Sequence, residues 1–99
     1  MPKCYVIGDV TVHDAARYPD YASQTESTLE PFGGRFIVRG PEVDQLEGEW
    51  SPGRVVVIEF PDRASADGWW NSAAYEAIKP IRRANSTGNL ILVDGYAPA

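Results

Sequence analysis

The 99 residues, 43% hydrophobic and 23% charged, have the make-up of one ordinary globular domain, which excludes disordered and collagen-like classes. Nine Lys and Arg against fourteen Asp and Glu give a formal net charge of -5, so neither a nucleic-acid backbone nor an anionic membrane surface is an expected partner. Cys4 stands alone, which rules out an intramolecular disulfide and a cysteine-based metal centre and leaves a buried strand position as its expected role. The N-terminus carries no apolar run of signal-peptide length and no later run approaches the ~20 residues of a membrane span, so the cytoplasm is the expected location.

Cys4 to Val12 alternates and is rich in Tyr, Val, Ile and Thr, which predicts a first strand. Val6, Gly8, Val10 and Val12 share one face, and Tyr5, Ile7, Asp9 and Thr11 share the other. Asp14 is a plausible N-cap for a helix carrying Tyr18, Tyr21, Ala22, Thr25, Leu29 and Phe32 at helical spacing. Pro19 is expected to split that helix into a first turn and a main body, and Pro31 with Gly33-Gly34 to end it.

Arg35 to Arg39 predicts a second strand with Phe36 and Val38 on one face and Ile37 and Arg39 on the other. Gly40-Pro41 turns the chain. Glu42 to Glu47 reads as a short edge strand or hairpin arm, followed by loop residues around Trp50.

Val55, Val56, Val57, Ile58 and Phe60 form the clearest strand, apolar on both faces and interrupted only by Glu59. Pro61 stops it, and Asp62 can cap a helix that carries Ala66, Trp69 and Trp70 back toward the strand. Ser72 caps a restart over Ala73 to Lys79, with Pro80 bending or ending it. Asn89 to Asp94 predicts the last strand. The order is β-α-β-β-α-β, an α+β ferredoxin-like fold with an antiparallel four-stranded sheet, as a single domain over residues 1–99. Two helices cover one face of such a sheet, and these strands are apolar on both, so packing of the second face against another copy is expected.

Gly33-Gly34-Arg35-Phe36, Arg39-Gly40, Leu46-Glu47-Gly48-Glu49-Trp50, Arg54 to Pro61, and Trp70 and Ser72 ahead of Tyr75 carry a family resemblance. The series resembles that of the domain of unknown function 1330, from Tyr5 to Gly95, with Gly68 and Pro19 as departures. The resemblance implies a dimeric α+β barrel, the superfamily that also holds cofactor-poor monooxygenases of antibiotic biosynthesis, haem-degrading monooxygenases and muconolactone isomerase. It implies no particular reaction.

The candidate site residues follow from parity and residue type. Glu59 shares a face with Val55 and Val57, and parity adds Asp9 and Arg39, so a Glu59–Arg39 pair is expected, either fixing the strands or working as an acid or base. His13 is the sole histidine and the other candidate for proton transfer. Of Trp69 and Trp70 one is expected in the core and the other beside a cleft near Ser72, an aromatic wall for a small planar ligand with Tyr75 as its polar tip. No metal or other cofactor is expected. Arg82-Arg83 read as charges favouring a helix C-terminus, in preference to contacts with an anionic substrate. The functional expectation is a homodimer that is either a metal-free small-molecule enzyme, monooxygenase- or isomerase-like, or a non-catalytic ligand-binding or interaction module.

Overall fold

The computed structural model describes residues 2–40 and 42–96. Strands β1 (Cys4–Val12), β2 (Arg35–Arg39), β3 (Arg54–Phe60) and β4 (Ser86–Asp94) form one sheet in the order β2-β3-β1-β4, and every neighbouring pair is antiparallel. Helix α1 (Tyr18–Leu29) links β1 to β2, while α2 (Arg63–Trp70) and α3 (Ala73–Asn85) link β3 to β4. This is the βαββαβ order that the sequence pattern predicts, with its second helix in two pieces.

The helices cover one face of the sheet. Cys4, Val6, Val10, Ile58 and Phe60 point into that layer and are buried, meeting Leu29 of α1, Ala66 and Trp69 of α2, and Tyr75 and Ile78 of α3. Aromatic rings dominate: the Trp69 and Tyr75 centroids lie 4.0 Å apart and those of Phe60 and Trp69 5.5 Å. The buried indole Nε1 donates to Thr28 Oγ1 at 3.0 Å, so Trp69 enters the core without an orphaned donor.

Several boundaries differ from the sequence reading, each for a local reason. Pro19 does not split α1. It lies in the helix's first turn, where the missing N–H is unpaired in any helix, and Asp14 instead closes the preceding turn by accepting from the Ala16 and Arg17 amides. Pro80 does not end α3, which runs through it to Asn85. Asp62 and Ser72 do cap α2 and α3, accepting from the Ser65 and Tyr75 amides. Residues 42–53 form no strand, and Pro41 of the expected turn lies outside the described residues.

The consequential difference is in β2. Phe36 pairs with Ile58, but Val38 pairs with Val57, so Ile37 is an extra residue bulged out of the ladder. The bulge shifts parity by one. Val38 therefore sits on the helix-free face, and Arg39, opposite Val56, joins Phe36 on the helical side.

Candidate functional site

Two separate groups of polar residues flank the sheet. On the helix-free face, Glu59 is directly opposite Arg35 in β2 and Tyr5 in β1. Arg35 Nε and Nη2 both donate to Glu59 Oε1, at 3.1 and 3.0 Å, Lys3 Nζ donates at 3.1 Å, and the Tyr5 hydroxyl reaches Oε2 at 3.3 Å. Hydrogen bonds from Lys3 and Arg35 hold the Glu59 carboxyl below the usual carboxylate range. An ionised carboxylate with two cations on it is a poor proton acceptor. The expected Glu59–Arg39 pair does not form, because the bulge at Ile37 turns Arg39 toward α1, where it pairs with Glu26 and donates to the Ala22 carbonyl at 3.0 Å.

Asp9 shares the helix-free face, as parity predicts, but accepts from the Trp50 indole at 2.9 Å and the Gly53 amide at 2.8 Å, fastening the loop before β3. His13 follows the far end of β1, its Nε2 2.6 Å from Thr87 Oγ1, away from the Tyr5 end where Glu59 lies. The two candidates for proton transfer are thus not brought together.

On the helical side, at the β4 edge of the sheet, Trp70 borders a surface groove of about 300 Å³ lined by Val6, Ala66, Asp67, Leu90, Leu92 and, from the edge strand, Ile91. Lys79 lies 3.8 Å from the centroid of the Trp70 ring and pairs with Glu76 at 2.5 Å, so this almost fully buried ammonium is compensated twice. Ser72 is a helix cap whose hydroxyl also donates to the Trp69 carbonyl, and it adds nothing to the groove. Tyr75 is fully buried and its hydroxyl meets that of Tyr21 at 2.9 Å, so it is no exposed tip. Burial and the Tyr75 hydroxyl push the Tyr21 phenol far up, which keeps it neutral.

Next to the groove lies a narrower slot of about 30 Å³ between the sheet and α1, lined by Tyr18, Tyr21, Thr25, Arg39, Arg54 and Arg82 together with apolar side chains that include Leu90, a residue the two spaces share. The sequence reading missed this slot. The signal for it was present: Tyr75, Ile78, Lys79 and Arg82, the buried residues of α3, stand at i, i+3, i+4 and i+7, so the buried stripe includes two cations. Arg82 is 6% exposed rather than solvated at a helix end.

Residues 3–96 match the family described as domain of unknown function (DUF1330). The chain belongs to that family. No protein of curated function matches the sequence. Among known structures, a protein of unknown function from Rhodopseudomonas palustris shares the fold at a TM-score of 0.80 and 18% identity, over 98% of this chain and 85% of that one. SnoaB, a cofactor-independent oxygenase from Streptomyces nogalater, follows at 0.67 and 15%, over 99% and 97%. A dabb family protein with a ferredoxin-like fold from Mesorhizobium loti aligns at 0.59 and 14%, over 100% and 99%. At these identities the likeness is one of fold: this DUF1330 chain shares the ferredoxin-like fold of these proteins.

Among the described residues, no cluster of three or more His, Cys, Asp or Glu is arranged to hold a metal ion, and no helix is long and apolar enough to cross a membrane.

Proposed function

We propose that this DUF1330 chain is a homodimeric small-molecule protein that holds a planar, largely apolar ligand on the helical side of its sheet and meets its own copy through the other side. The observation that carries the reading is the division of labour between the two faces. One offers a groove walled by Trp70, at the small end of the roughly 300–1,000 Å³ range of ligand pockets. The other offers a band of apolar side chains in which Val38 pairs with Val57, Val57 with Ile7 and Ile7 with Ile91, flanked by Val55 and Val93. Ile91 and Val93 are exposed in the single chain, and a second copy would cover them.

As an enzyme, the chain would carry out chemistry of the oxygenase or isomerase type without a metal. Its contribution would be to orient the substrate and stabilise charge on it, since Glu59 and His13 lie away from the groove and Tyr21 is held neutral. A non-catalytic ligand carrier is favoured by one observation: the Tyr21 and Tyr75 hydroxyls satisfy each other, so neither is a free acid or base. A thermal-shift screen of small aromatic compounds against wild type and Trp70→Ala tests the groove. Hits that stabilise the wild type and lose their effect in Trp70→Ala support it; hits that stabilise both equally contradict it.

A further inference from the structure

The slot beside the groove contains an unusual arrangement of charge. Arg82 is 94% buried, its Nε has no hydrogen-bond partner, and its guanidinium takes part in none of the ion pairs found among the described residues. A guanidinium does not shed its charge, so burial leaves a cation with an unmet donor at Nε and no carboxylate partner among the described residues. Arg39, which also lines the slot, is already committed to Glu26 and the Ala22 carbonyl. Arg54 is half-buried, stands 6.0 Å from the Tyr18 ring centroid, and likewise has no carboxylate partner among the described residues. No Asp or Glu lines the slot, and its hydroxyls come from Tyr18, Tyr21 and Thr25.

We propose that this slot receives the carboxylate of a small organic acid, with Arg82 as its deep receptor and Arg54 nearer solvent, and with the acid's apolar body in the groove beside Trp70. The inference rests on the helix-side ligand reading above. A volume of about 30 Å³ exceeds the ~10–15 Å³ that one water needs and falls far short of the ~150 Å³ of a cavity that takes up benzene, which leaves room for a head group but not for a ring. A water there would satisfy an N–H and leave the charge uncompensated, whereas a planar carboxylate offers two oxygens that match the guanidinium fork. The body must then lie elsewhere, and the adjoining groove is divided from the slot by Leu90. Gly8 opposite leaves that side chain space to turn, since a Cβ there would lie 3.4 Å from Leu90 Cγ and 3.1 Å from Val56 Cγ2.

The competing account is that the C-terminal carbonyls of α3 alone compensate Arg82. Titration of the arginine-labelled wild-type protein with phenylacetate and with its neutral counterpart phenylacetamide separates the two, read by calorimetry and by the Arg82 Nε–H resonance, which is assigned from its loss in Arg82→Lys. The expected result is at least tenfold tighter binding of the acid than of the amide, a downfield shift of the Nε–H signal with the acid alone, and loss of the acid preference in Arg82→Gln. Equal affinities for acid and amide would overturn the carboxylate assignment and leave the groove reading standing. Binding of neither compound would bring down the groove reading and this inference with it. If Arg82→Gln does not fold, the wild-type signal decides: an Nε–H resonance unmoved while phenylacetate binds overturns the proposal.

Discussion

Arg35, and not Arg39, is the arginine that holds Glu59, through Nε and Nη2 at 3.1 and 3.0 Å from a single carboxylate oxygen. One extra residue in β2 decides this. A regular strand would have put Ile37 and Arg39 on the face of Glu59; the bulge at Ile37 breaks the alternation and brings Val38 there instead.

This pairing has a pH signature. The folded-state pKa of Glu59 is depressed below its ordinary 4.5, so the carboxylate contributes stability that is fully present above that value and is lost as pH falls through the lower, folded value. Glu59→Gln should therefore melt below the wild type at pH 7, and the gap should close as pH drops below about 4.5. The effect at neutral pH should be small, because Lys3 and Arg35 are exposed and regain water when the carboxylate is lost. A gap that widens in acid would contradict the pairing.

The core makes a second, larger prediction. Thr28→Val keeps the shape of the side chain but removes the acceptor of the buried Trp69 indole N–H, and should cost about 1–3 kcal/mol in urea unfolding, the desolvation penalty of an unmet donor. Thr28→Val should cost less in a Trp69→Phe background, where no indole donor is left to strand.

Cys4 gives a third. Burial, followed by the nearby Asp94 carboxylate, pushes its thiol up, so a thiol reagent at pH 8 should react with it only at the rate of unfolding and at the ordinary rate in urea.

For the proposed dimer, wild-type protein at micromolar concentration should sediment at twice the chain mass. Ile7→Lys places an ammonium at the centre of the apolar band, beside Val57 and Ile91, where an interface would bury it unpaired. Ile7 is only half-buried in the single chain, so the variant should stay folded by circular dichroism and sediment as a monomer. A wild-type monomer, or an unchanged dimer in the variant, would rule out this face.

The sequence carried most of the fold because the period-2 runs of β1 and β3 and the caps Asp62 and Ser72 are local signals that tertiary contacts reinforce. It was weaker where geometry departs from strict alternation. A bulge leaves no mark in a run such as Arg-Phe-Ile-Val-Arg, so strict alternation puts Arg39 on the wrong face. Trp70 and its groove followed from the aromatic pair, one ring turning inward and its neighbour outward. Tyr75 reads as a tip in the sequence because its partner, Tyr21, is 54 residues away. Arg82 was legible in principle, on the helical stripe from Tyr75 and Ile78, but a cation in a last helical turn is more often solvated, and that expectation prevailed.

The central claim, that ligand and partner occupy opposite faces of the sheet, is tested most directly by mapping amide and indole chemical shifts during titration with a small aromatic acid. The account predicts perturbations at Val6, Ala66, Trp70, Leu90 and Leu92, with Lys3, Tyr5, Arg35 and Glu59 unmoved; shifts confined to those four residues would contradict it.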